Sequence, residues 1–215
     1  MVITANGMAN QQGRSVVSLS SMADARAALS QAGMDPSNSR MKVLLGAARW
    51  IGNTEGLPAM VISDTTQAAL HAEFRQAVRI HDVIPQASVQ VLGSICHGHS
   101  FAGYVMQEIP GESIIGRFMG LRRIDEEAAS REYIEAFKSL HRSVNQMNSK
   151  LVAHGDIHEK NVISGKLIDP QPYFPSGYVR RPGLFLIYRD QQWLAQMARR
   201  IAHLTGASVA QIIAP

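Results

Sequence analysis

The sequence predicts an α+β fold of two lobes, with a small antiparallel sheet preceding a reduced, mainly helical half. Three observations predict it. Short apolar runs bounded by turn residues crowd the first half of the chain, at 41–47, 59–62, 89–94 and 103–108. Pro110-Gly111 then interrupts the pattern. Beyond it, helical spacing dominates at 126–144 and 190–204. Strands first and helices afterwards argue for segregated layers, because alternating βαβ units would interleave the two periods. The expected division is a Ser-rich N-terminal segment at 1–35 merging into a first lobe at 36–108, then a second lobe at 109–215.

The elements follow in order. Residues 1–40 are rich in Ser, Asn, Gln, Ala and Met, carry only Asp24 and Asp35 as acids, and contain no Lys. They lack a basic stretch leading into an apolar one, so a classical secretory signal is not expected. The span 13–29 reads as a strand followed by a short helix, and 35–38 as a turn. After the 41–47 strand, Gly52-Asn53-Thr54-Glu55-Gly56 has turn chemistry, and 59–62 forms another strand. Asp64 or Thr65 is placed to cap a helix reaching His81, with Ala68, Ala69, Ala72, Gln76 and Ile80 near helical spacing. Tyr133, Ala136, Phe137 and Leu140 share one face of the 126–144 helix. A hairpin follows, Val162-Ile163 turning through Ser164-Gly165-Lys166 into Leu167-Ile168.

Composition removes several function classes. Of 215 residues 46% are hydrophobic, which suits a packed core, and no apolar run approaches the roughly 18 residues that span a bilayer. The net charge of +4 is spread out, with Arg180-Arg181 and Arg199-Arg200 as isolated pairs. Nucleic-acid binding favours a basic stripe with interleaved aromatics, so neither nucleic acid nor membrane is an expected partner. One cysteine, Cys96, allows no internal disulfide and no CxxC zinc site. A monomer is the expected state.

The chemistry concentrates between His154 and Asp169. Phosphoryl transfer asks of a protein a carboxylate to orient the attacking hydroxyl, ligands for Mg²⁺, and a cation on the nucleotide phosphates. Asp156 supplies the first. Asn161, five residues on, has the Asp-x-x-x-x-Asn spacing of kinase catalytic loops, where the amide oxygen binds metal. Asp169 offers a second hard oxygen ligand for Mg²⁺.

His154-Gly155-Asp156-x-His158-x-x-Asn161 followed by Leu167-Ile168-Asp169-Pro170 resembles the protein-kinase-like superfamily, in particular branches such as the aminoglycoside phosphotransferases that use His-Gly-Asp. The resemblance covers roughly 73–193 and is specific only in the catalytic hairpin. It implies ATP and Mg²⁺ as cofactors and a minimal bilobal kinase-like fold. Gln107, Glu108 and Ile109, within Met106 to Glu112, resemble the hinge whose backbone holds adenine. Two departures stand out: Asp169 is followed by Pro170-Gln171 where protein kinases have Phe-Gly, and the hairpin is shorter.

Lys42 is the only lysine before Lys138 and opens an apolar strand, as the phosphate-binding lysine of a kinase would. Glu73 is its expected ion-pair partner and Arg49 the alternative cation. No clean Gly-x-Gly-x-x-Gly precedes it, so the phosphate-covering loop falls to 18–23 or 6–13. His158 reads either as a phosphate contact or as loop packing. Asp190 with Trp193 resembles the helix that anchors a kinase catalytic loop, and reads equally as a cap and a core side chain.

Only 46 residues follow Asp169, with a single acid, Asp190, which leaves little to build an acidic pocket for a polycationic small molecule. The length and the His-Gly-Asp-Ile-His hairpin resemble the HopBF family of type III secreted effectors. That resemblance implies a Ser/Thr protein kinase, secreted by a bacterium into the host cytoplasm, with the ninety-kilodalton heat-shock chaperone as substrate. A small-molecule phosphotransferase and a non-catalytic kinase-like binding module are the alternatives.

Overall fold

A computed structural model describes residues 15–18, 39–45, 48–53, 60–62, 67–97, 100–107, 109–172 and 183–214. Side chains are described within 68–94, 101, 103–107, 109–172 and 183–214. The protein is α+β. The chain divides into two compact units, Met1–Arg75 with Gln90–Glu108, and Gln76–Val89 with Ile109–Pro215. Segment Gln76–Val89 thus groups with the helical unit and departs from a simple cut after residue 108.

The first unit is built on a six-stranded sheet. Its strands are β1 (Ser15–Ser18), β2 (Ser39–Leu45), β3 (Ala48–Asn53), β4 (Met60–Ile62), β5 (Val91–His97) and β6 (Ser100–Gln107), in the order β1-β5-β6-β2-β3-β4. Four pairings are antiparallel, but β1 runs parallel to β5, so the sheet is mixed where an antiparallel one was expected. Alternation marks a strand's faces and says nothing of its neighbour's direction. Strand β3 was not expected. Its Arg49-Trp50-Ile51 core carries no long apolar run, and pairing with β2 on one side and β4 on the other supplies what propensity does not.

Helix α1 (Gln67–Val83) begins in the first unit and continues into the second. Ala69, Leu70, Glu73, Gln76, Ala77 and Ile80 form its buried stripe, so two polar side chains sit at core positions.

The second unit holds α2 (Ile114–Arg122), α3 (Glu126–Ser149), the short β7 (Val162–Ile163) and β8 (Lys166–Leu167), α4 (Gly183–Thr205) and α5 (Val209–Ile213). Asp125 caps α3, its carboxylate accepting from Ala128 N–H at 2.9 Å, and Glu126 and Glu127 complement the helix dipole. Tyr133, Phe137, Leu140, Val144 and Met147 fall every third or fourth residue along α3 and are buried. Leu186, Leu194, Met197 and Ile201 do the same on α4, and both stripes join one apolar core. Helix α2 was not expected, since Gly116 and Gly120 lower its propensity; Ser113 caps it by accepting from Gly116 N–H.

Candidate active site

The second unit gathers Asp156, His158, Asn161 and Asp169 around one loop, and the loop is built from below. Asp190 lies on the buried face of α4, fully enclosed. One carboxylate oxygen accepts from Gly155 N–H at 2.7 Å; the other accepts from His154 N–H at 2.8 Å and from the Asn148 amide at 3.1 Å. Three donors from two segments therefore converge on one acid, and Asn148 also donates to Val152 carbonyl at 3.0 Å. Burial pushes the Asp190 carboxyl up to about 6, against the opposing pull of these donors. Asp190 is the loop's anchor, which decides between the two readings of it as cap and as anchor.

Gly155 is required by this geometry. Its φ is +85°, and a Cβ there would lie against Gln171 carbonyl and 2.7 Å from Leu186 Cδ2. No side chain has room there.

His154 links the loop to the hairpin. Its Nε2 lies 2.8 Å from Ile168 carbonyl, and its Nδ1 accepts from Asp156 N–H at 3.3 Å. An imidazole that donates at one nitrogen and accepts at the other is neutral. Burial lowers its pKa to about 4, which overcomes the pull of Asp156 and Asp169. The ring thereby positions Asp156 from one side and the residue before Asp169 from the other. Asp169 itself has φ +57°, a left-handed conformation that Asp tolerates better than most residues.

Asn161 closes the loop at the end of a 3-10 turn, Glu159–Asn161. Its amide N–H₂ donates to Asp156 carbonyl at 3.0 Å and to Asp156 Oδ2 at 3.2 Å. Both donors point at Asp156, so the amide oxygen is the end turned away. Asp156 is further approached by His158 Nε2 at 3.6 Å and Arg189 Nη2 at 4.0 Å. Burial opposes ionisation of Asp156, but His158, His154 and Arg189 together hold its carboxyl below the usual carboxylate range. The His158 ring also meets Trp193 edge-on at 5.9 Å, and its Nδ1 accepts from Lys160 N–H. These contacts hold the His158 ring between the Asp156 carboxylate and Trp193.

In the first unit, Glu73 is 2% exposed and accepts from the Tyr104 hydroxyl at 2.7 Å. Lys42 lies in β2 with Tyr104 and Ile51 as its register partners. Its side chain, like that of Arg49, falls outside the described residues, as do Glu108, 6–13 and 19–23. The Gln107 N–H is committed to Gln90 carbonyl at 2.9 Å and is not offered to a ligand. Ile109 belongs to the second unit and is half-buried.

Three contributors escaped sequence reasoning. Arg189 reaches Asp156 from 33 residues away, and its only signal was adjacency to Asp190. Tyr104 reads as an ordinary strand aromatic. Gln76 falls on the periodic stripe of its helix, but that spacing does not give its role, in which the side-chain amide donates to Ala153 carbonyl.

Among the described residues no three His, Cys, Asp or Glu side chains gather as metal ligands. The Asp169 carboxylate and the Asn161 amide oxygen are the two hard oxygen donors that the hairpin and loop could offer a metal. That suits Mg²⁺, which keeps waters and takes substrate phosphate oxygens for its remaining positions. No protein-family model and no curated protein matches the chain.

Proposed function

We propose that the protein is an ATP- and Mg²⁺-dependent protein kinase. The observation that carries the reading is the Asn161 amide clamped by two hydrogen bonds to Asp156, in the loop that Asp190 and His154 hold against the Asp169 hairpin. A turn-forming Asp and Asn would not call for a buried acid, a neutral histidine and a glycine without Cβ space beneath them.

In this reading Asp156 accepts a hydrogen bond from the acceptor hydroxyl and takes its proton as the phosphoryl group transfers. The neighbouring cation and imidazole keep it ionised for that role. Asn161 and Asp169 would hold Mg²⁺, which neutralises charge on the phosphates when bound. Lys42 is the assigned phosphate cation, with Glu73 as its assigned ion-pair partner and Arg49 as the alternative. The resemblance assigns the adenine-binding role to Gln107, Glu108 and Ile109. The resemblance to the HopBF effectors extends the proposal to a serine or threonine acceptor on a host protein, with the ninety-kilodalton heat-shock chaperone as the first candidate.

The test is incubation of the protein and its Asp169→Ala variant with γ-labelled ATP, Mg²⁺ and a eukaryotic lysate. One labelled protein band that needs Asp169 is the expected result. ATP consumption supported only by small-molecule acceptors would overturn the protein-kinase reading.

A further inference from the structure

Arg189 is the best covered of the ion-paired arginines among the described residues, and its pair is the longest. Its side chain is 25% exposed, against 39% for Arg122 and 62% for Arg117, which both hydrogen-bond a glutamate. The Arg189 guanidinium makes no hydrogen bond among the described residues. It faces Asp156 Oδ1 across 4.0 Å, too far for an N–H···O contact. A guanidinium carries five N–H donors in a fixed fork, and covering it without filling them is costly. The group is also well fixed. Arg189 precedes Asp190, whose carboxylate ties α4 to the backbone of His154 and Gly155.

The Asp156 carboxylate is divided in its contacts. Oδ2 receives the Asn161 amide at 3.2 Å and faces His158 Nε2 at 3.6 Å. Oδ1 accepts from no donor among the described residues, and Arg189 is the cation turned toward it. Oδ1 is therefore the oxygen left for an incoming hydroxyl. Such a hydroxyl sits about 2.6 Å from the carboxylate oxygen, and a charged N–H donor to it lies about 2.8 Å beyond. Together the two separations exceed 4.0 Å, so one oxygen atom can bridge Oδ1 and Arg189 Nη2 without either side chain moving.

The charges around that point are unequal. Asp156 and Asp169 both act on His154, so the two carboxylates share one neighbourhood. A phosphoryl group passing to a hydroxyl on Oδ1 enters their negative field. An unfilled guanidinium fork offsets it, because two of its N–H groups match two phosphoryl oxygens at once.

We propose that Arg189 is a catalytic residue of the phosphoryl transfer, its guanidinium holding the non-bridging oxygens as the group bonds to the hydroxyl seated on Asp156 Oδ1. The assignment rests on the kinase reading. In the step, the acceptor oxygen bonds to phosphorus and the bond from phosphorus to the ADP oxygen breaks, its electron pair leaving on ADP. The hydroxyl proton passes to Asp156. Arg189 supplies charge and hydrogen bonds and changes no covalent bond. This role is separate from keeping Asp156 ionised, and pH pulls the two apart.

The experiment compares the full chain with Arg189→Gln and Arg189→Lys. Calorimetry measures Mg·ADP binding with and without aluminium fluoride, a mimic of the transferring phosphoryl group. Labelling of the Asp169-dependent lysate band is followed against ATP concentration and pH. Arg189→Gln is expected to bind Mg·ADP as the parent does but to lose the tightening that aluminium fluoride gives. At saturating ATP it should label about 100-fold more slowly. Arg189→Lys, a point charge without the fork, should recover only part of both. The slow labelling should persist at about pH 9, where carboxylates are ionised in every variant. Full recovery at that pH overturns the inference, because Arg189 would then serve Asp156 alone. So does undiminished fluoride tightening in Arg189→Gln. A Mg·ADP affinity and urea midpoint that fall in step with the rate also overturn it, since the role would then be structural. If the parent labels no protein while the fluoride complex still needs Arg189, the protein-acceptor reading falls and this assignment stands. A parent that binds neither Mg·ADP nor its fluoride complex overturns both.

Discussion

Replacing Asp190 by alanine removes the acceptor of three buried donors at once: Gly155 N–H, His154 N–H and the Asn148 amide. Each buried donor left unmade costs about 1–3 kcal/mol, and water entering the space recovers part of that. The variant also loses a buried ionised carboxylate whose desolvation opposes folding at neutral pH. The net expectation is a loss of about 3–5 kcal/mol at pH 7, a large share of typical domain stability. The sign with pH is specific. The folded pKa of Asp190, about 6, lies above its ordinary value of 3.8, so its contribution is full below 3.8 and falls as pH rises through 6. Asp190→Ala should therefore be penalised more at pH 5 than at pH 7. Urea unfolding followed by tryptophan fluorescence measures both, because Trp193 sits on the same helix, with Asp190→Asn as the milder comparison. An alanine variant within about 1 kcal/mol of the parent at both pH values would refute the anchoring argument, because at least one donor would then be unsatisfied at no cost.

Further outcomes follow from the same loop and core. Gly155→Ala should destabilise by about 3 kcal/mol or more, from the clash with Gln171 and Leu186 added to a left-handed φ, read as a lowered urea midpoint. Tyr133→Phe should raise stability by up to about 1 kcal/mol, because it deletes a buried hydroxyl with no partner, and calorimetry would show it. His154, with a folded pKa of about 4 below its ordinary 6.5, contributes stability above 6.5 that is lost as pH falls through 4, worth about 3 kcal/mol. Asp190 opposes it over nearly the same window, so unfolding of Asp190→Asn between pH 6.5 and 4 should expose a steeper acid loss than the parent shows. Arg189→Gln should move the acid limb of the transfer activity toward higher pH, since the guanidinium helps hold Asp156 ionised, and a pH–rate profile checks it.

What the sequence determined by itself was local. The Asp156, Asn161 and Asp169 spacing, the 162–168 hairpin and the long helix beginning at Glu126 were legible, because turn chemistry, capping and a 3.6-residue stripe act over a few residues. The α+β order was legible for the same reason. Tertiary structure alone decided the rest. The direction of β1 against β5, and strand β3, depend on partners far along the chain. Asp190 reads equally as a cap and as an anchor until three N–H groups from residues 148–155 are seen to meet it, and Arg189 becomes relevant only because α4 brings it to Asp156. Whether a buried acid is an anchor or a defect is settled by which donors surround it, and spacing in one chain carries no record of contacts made 35 residues away.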